Sequence, residues 1–182
     1  YGRDDTYLTF TTSLWAAIAG LQRLAELHLE FTYVPDGEDA LTPYLNAPEG
    51  SFPSVKQVLV NVETWGMREL TLEPSEAGQF VRQFSHLEHL SLYGCNDWPD
   101  GMGADLPWPQ LKTVKLAHEY MDASSLASSI RGMTKLQTLV IHGACNLTSL
   151  PEWIGELTQL TTLQISSSRI VLLPQSVTKL QR

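Results

Sequence analysis

Cys95 and Cys145, the close histidine pair His86 and His89, and the aspartates Asp97, Asp100 and Asp105 are the side chains whose types could do chemistry in this sequence. A nucleophilic cysteine needs an electropositive setting and an oriented base, and the residues around Cys95 and Cys145 offer neither. His86 and His89 lie on or just before a strand, where side chains three apart point to opposite faces, so the pair does not share a metal ion. The three aspartates lack the regular ligand ladder and terminal bidentate glutamate of a calcium loop. No Gly-x-Ser-x-Gly, phosphate-binding glycine loop or metal-spaced cluster occurs. The sequence therefore implies no catalytic residue, no metal and no cofactor, which leaves recognition.

Candidates for recognition are grouped. "ELHLE", Glu26 to Glu30, and "ELTLE", Glu69 to Glu73, alternate charged or polar residues with leucines, as strands with one buried face do. Trp98 and Trp108 lie in the Gly/Pro-rich stretch "GCNDWPDGMGADLPWPQ", where aromatic side chains on a loop are common binding anchors.

The elements that must hold these residues recur at a fixed period. An apolar-x-x-apolar-x-apolar phrase appears at Leu24/Leu27/Leu29, Val55/Val58/Val60, Met67/Leu70/Leu72, Leu87/Leu90/Leu92, Leu111/Val114/Leu116, Leu136/Leu139/Ile141 and Leu160/Leu163/Ile165. Its centres Leu90, Val114, Leu139 and Leu163 are 24, 25 and 24 residues apart. Each phrase reads as a short strand, followed by a turn and a return segment such as "SLWAAIAG", "EAGQFVRQF" or "SSLASSIRG". One such unit cannot bury its own apolar face, whereas stacked copies can.

With these phrases the chain resembles the leucine-rich repeat superfamily, whose pattern is Leu-x-x-Leu-x-Leu-x-x-Asn/Cys-x-Leu. Cys95, Ala144 and Ser168 stand in the Asn/Cys slot of three copies. The resemblance implies an α/β solenoid with a parallel inner sheet and about seven to eight irregular coils. It would span residues 1–182 as one repeat domain, a fragment of a longer solenoid, with insertions at 34–53 and 94–110. Val58 and Leu70 are too close to head separate coils, and Leu70 is taken here as the inner strand.

In such a stack the polar positions flanking the inner leucines line a concave face. One column is then Glu26, Glu69, His89, Thr113, Thr138 and Thr162; the next is His28, Thr71, Ser91, Lys115, Val140 and Gln164; the third is Glu30, Glu73, Tyr93, Ala117, His142 and Ser166. The glutamates would form an acidic patch around His28 that steers a basic segment of a partner protein. Trp153, Ile154 and Leu157 of "LPEWIGEL" have helical spacing and are expected to face the core.

Bulk properties agree with a folded recognition module. The 182 residues are 43% hydrophobic and 18% charged, which is ordinary for a globular chain. A net charge of -8 argues against nucleic acid or an anionic membrane as the main partner. Two cysteines fit a reducing, cytoplasmic setting. The phrases "ACNLTSLPEWIGELTQLTTLQI", "SSSRIVLLPQSVTKLQ" and "SFPSVKQVLV" are similar to the repeats of plant nucleotide-binding immune receptors. That likeness implies a sensor or autoinhibitory repeat region. Substrate-recognition repeats of an F-box ubiquitin ligase, or the repeats of a bacterial effector ligase, are the alternatives.

Overall fold

The computed structural model of the chain describes residues 12–31, 50–62, 80, 82–93, 110–117, 130–143, 146–166 and 169–180. After helix α1 (Thr12–Ala19) come six strands: β1 (Glu26–Phe31), β2 (Gln57–Val62), β3 (His89–Tyr93), β4 (Thr113–Ala117), β5 (Thr138–His142) and β6 (Thr162–Ile165). They form one sheet in chain order, every neighbouring pair parallel. Sequential parallel strands need a crossover between them, so each strand-to-strand segment is one coil of a repeat solenoid.

The register follows the repeat. Leu27, Val58, Leu90, Val114, Leu139 and Leu163 stand side by side across the sheet, as do Leu29, Val60, Leu92, Leu116, Ile141 and Ile165. From β1 to β5 both rows are buried, with Val58, Leu90, Val114, Leu139 and Ile141 fully inaccessible. Alternation sends the intervening residues to the opposite face. A one-residue slip would expose both rows together, so burial alone pins the register.

The choice of Leu70 as the second inner strand is corrected here. β2 is Gln57–Val62, bonded to β1 on one side and β3 on the other, which fills the place assigned to Met67–Leu72. Residues 67–72 themselves, like Leu8 and Phe10 of the earlier partial copy, lie outside the described residues. The coil from Val58 to Leu90 is thus 32 residues long, against 24 or 25 for those after it.

Two backbone devices recur ahead of the strands. A tight turn joins Leu24 N–H to the Leu21 carbonyl, Val55 to Phe52, Leu136 to Met133 and Leu160 to Leu157, at 2.9–3.3 Å. One carbonyl of each coil then accepts two N–H groups of the next. Ala25 O takes Lys56 and Gln57, Lys56 O takes Glu88 and His89, Glu88 O takes Lys112 and Thr113, Lys112 O takes Gln137 and Thr138, and Gln137 O takes Thr161 and Thr162, at 2.8–3.2 Å. Buried backbone groups must be paired somewhere, and here every coil pairs them on its predecessor.

The core continues into the return segments. Trp15 of α1 meets Phe52 at 4.8 Å and Phe80 at 6.2 Å between ring centroids, and Phe84 closes the cluster against Phe52 and Phe80 at 5.0 and 5.3 Å. Phe52, near the end of the segment read as an inserted loop over 34–53, is 2% exposed and therefore core. Trp153 and Ile154, on a 3-10 helix (Glu152–Glu156), and Leu157 just after it are buried as expected.

A second 3-10 helix (Gln175–Lys179) repeats the first one coil later. Its apolar partners are less covered. Leu147, Leu150, Ile154 and Leu157 are 0–4% exposed, whereas their counterparts Ile170, Val177 and Leu180 are half-buried and Leu173 is 63% exposed. The earlier residues have the last coil stacked on them. No described element stacks on the later ones.

Candidate functional site

The face of the sheet turned away from the core carries three rows of side chains. The first is Glu26, Gln57, His89, Thr113, Thr138 and Thr162; the second is His28, Leu59, Ser91, Lys115, Val140 and Gln164; the third begins Glu30, Asn61, Tyr93, Ala117 and His142. Ser166 follows β6, with its N–H on the Ile141 carbonyl at 2.9 Å and its hydroxyl 2.5 Å from His142 Nδ1. The three rows match the expected columns everywhere except at the second strand, where Gln57, Leu59 and Asn61 replace Glu69, Thr71 and Glu73.

That replacement alters the charge of the face. Glu26 and His28 are exposed on β1, and His28 Nε2 lies 3.3 Å from Gln57 Nε2. Glu30 belongs to β1, with its side chain outside the described residues, and Glu69, Glu73, Trp98 and Trp108 lie wholly outside them. From β2 to β6 none of the outward positions on these rows is a carboxylate. Lys115 is the one lysine or arginine there, and His89, Tyr93 and His142 share the rows with it.

The register sets Lys115 at the centre of a three-by-three block. Ser91 and Val140 flank it across the strands, Thr113 and Ala117 along its own, and His89, Tyr93, Thr138 and His142 stand at the corners. Ser91 and Val140 are 9% and 7% exposed, and Lys115 is half-buried. Neighbouring strands are roughly 4.8 Å apart, so the block spans about 10 Å by about 13 Å, the footprint of a few residues of extended peptide.

A charge ladder that the sequence reading missed runs along the strand starts. Glu88 lies between Lys56 at 3.0 Å and Lys112 at 2.6 Å. These positions precede β2, β3 and β4 by one residue, so the register that builds the sheet also aligns the three charges. The bonds from Lys112 and then Lys56 lower the Glu88 carboxyl from 4.5 to about 2. A depressed carboxyl contributes stability above its unfolded value and loses it as pH falls through the folded one. Urea midpoints of the wild type and Glu88→Gln should therefore differ at pH 5–7 and converge between pH 4.5 and about 2. A difference that stays constant down to pH 2 would refute the ladder.

Among the described residues no three His, Cys, Asp or Glu side chains are placed to hold a metal, and no helix is long and apolar enough to cross a membrane. Cys95, Cys145, Asp97, Asp100 and Asp105 lie outside the described residues, and His86 is exposed with Nδ1 2.9 Å from Ser85 Oγ.

No family model matches the chain, and no curated protein matches it in sequence. Among solved structures it is similar to a leucine-rich repeat protein of Leptospira interrogans, 16% identical over 90% of this chain and 54% of that one, with a TM-score of 0.28. The chain thus spans about half the length of that protein. The in-register parallel sheet, with its repeated turns and shared carbonyls, is that of a repeat solenoid.

Proposed function

We propose that this chain is a non-catalytic protein-recognition module whose partner docks on the open face of the sheet. The supporting observation is that face itself. It presents Thr113, Thr138, Thr162, Gln164 and Lys115 in straight rows above an apolar layer that is buried from β1 to β5 and half-buried at β6. Rigid strands hold polar side chains at fixed spacing with little ordering cost on binding.

Within that reading, likeness of the C-terminal phrases to plant nucleotide-binding immune receptors supports a narrower one. The module is then the sensor or autoinhibitory repeat region of an intracellular receptor, acting on another protein. The test uses three versions of the chain as bait in native extract: wild type, Thr138→Arg/Gln164→Arg on the open face, and Arg131→Ala/Glu156→Ala on the return segments. The last pair is an exposed ion pair at 3.3 Å, so its removal costs little stability. A partner lost only by the open-face variant is the expected result. A partner lost only by the return-segment variant would place recognition on the other side and overturn the reading.

A further inference from the structure

Resting on that reading, we propose that the centre of the open face is a seat for an acidic side chain, so that the partner presents an extended segment carrying Glu or Asp. This reverses the charge expected from the sequence columns. The reversal follows from β2: with Gln57 and Asn61 in the rows, none of the outward row positions from β2 to β6 is a carboxylate.

Lys115 is the anchor. It is half-buried, its strand neighbours Val114 and Leu116 are 0% and 2% exposed, and alternation therefore directs it to the open face. The ion pairs among the described residues join Lys56 and Lys112 to Glu88, and Arg131 to Glu156. Lys115 has no such counter-ion among the described residues. Ser91 and Val140 form a low floor on either side, while His89, Tyr93, Thr138 and His142 stand at the corners.

Magnitudes decide between the local charge and the chain as a whole. The net charge of -8 is uneven along the chain: residues 1–122 carry 18 acidic and 7 basic side chains, residues 123–182 carry 2 and 5. At physiological salt the Debye length is about 8 Å, so exposed charges farther than that from Lys115 are largely screened. A carboxylate brought within about 4 Å of a half-buried ammonium feels a lower effective dielectric than water and gains more than at an exposed site. The local cation therefore sets the preference at contact, although the net charge slows approach.

The test uses the full chain, 15N-labelled, at 0.15 M salt with three synthetic nine-residue peptides. They differ only at two central positions, Glu, Gln or Lys. Amide shifts at Ser91, Lys115 and Val140 should saturate with the Glu peptide at least about fivefold tighter than with the other two. Lys115→Gln should erase that preference and Lys115→Arg keep it, while Lys135→Gln, at an exposed lysine elsewhere, should leave it unchanged. Equal affinities of the three peptides on β3–β5 would overturn the acidic seat and leave the recognition face standing. Absence of Glu-peptide shifts on these strands up to about 5 mM, near the limit of weak binding, would also overturn the seat. The extract experiment above reads the face independently of charge, so the two failures are separable.

Discussion

Trp15→Ala is expected to cost about 3–5 kcal/mol, the usual range for deleting a fully buried aromatic. Trp15 is 1% exposed, packs tilted against Phe52 and stacked against Phe80, and donates its indole N–H to Gln83 Oε1 at 2.9 Å. Gln83 is itself 0% exposed, with its N–H on the Phe80 carbonyl and its own carbonyl accepting from Phe52. One side chain therefore ties α1 to the turns that precede β2 and β3. Trp15→Phe keeps most of the apolar contact but removes the bond to Gln83, and about 1–3 kcal/mol is expected for it. Coils of a solenoid contact only their neighbours, so the damage should be local. Hydrogen exchange should accelerate at β1 and β2 amides and hold steady at β5 and β6. A loss below about 1 kcal/mol for Trp15→Ala, or uniform acceleration across the sheet, would refute this account.

The same turns explain what was legible beforehand. β3 to β6 stand out in the sequence because Leu90, Val114, Leu139 and Leu163 recur at nearly constant spacing, and only stacked coils of equal length bury such a series. β2 was misjudged because two phrases twelve residues apart both carry the alternating apolar pattern. The apolar residue three positions earlier separates them. Phe52 precedes Val55 as Phe84 precedes Leu87, Met133 precedes Leu136 and Leu157 precedes Leu160, whereas Thr64 precedes Met67. That residue closes the turn into the strand, and a polar threonine cannot fill its buried place. Trp108 stands at the same offset before Leu111 in the sequence, although its placement lies outside the described residues.

The candidate surface was legible in outline and not in charge. Alternation alone assigns Lys115, His89, Tyr93 and His142 to the open face, because their neighbours Leu90, Leu92, Val114, Leu116 and Ile141 must be buried. The sign of the face depended on which phrase supplied the second strand. Exchanging Glu69 and Glu73 for Gln57 and Asn61 removes two expected carboxylates from beside β3 and turns the reading from a basic partner toward an acidic one. The Lys56–Glu88–Lys112 ladder escaped notice for a related reason. Its members are 32 and 24 residues apart, and only the true register brings them side by side.

Gly155→Ala is expected to undock the last coil. A Cβ at this position would overlap the Ser176 carbonyl oxygen and stand 2.7 Å from Ser176 Cβ and 2.9 Å from its carbonyl carbon. Two of these three atoms are backbone, so no rotamer change relieves the clash. The glycine is present for closeness of approach, which lets the 3-10 helix Gln175–Lys179 lie on its predecessor with Ser176 N–H on Glu152 Oε2 at 3.3 Å. One coil later the matching residue is Thr178, exposed and bonded to its own turn through the Gln175 carbonyl at 2.7 Å. A side chain is tolerated there because no described element lies against it. Overpacking of this kind costs about 1–3 kcal/mol, and the last described coil, packed on one neighbour among the described residues, has little to set against it. Limited trypsin treatment should therefore cut Gly155→Ala after Arg169 or Lys179 at least about tenfold faster than wild type, since about 1.4 kcal/mol of local opening free energy is a factor of ten in the open population. Cleavage after Arg23, exposed ahead of β1 at the far end of the sheet, should be unchanged. Ser176→Gly introduced beside Gly155→Ala removes only the Cβ contact and leaves the carbonyl overlap, so it should restore little of the protection. Full restoration would mean that the serine side chain, not the backbone, sets the spacing of the two helices.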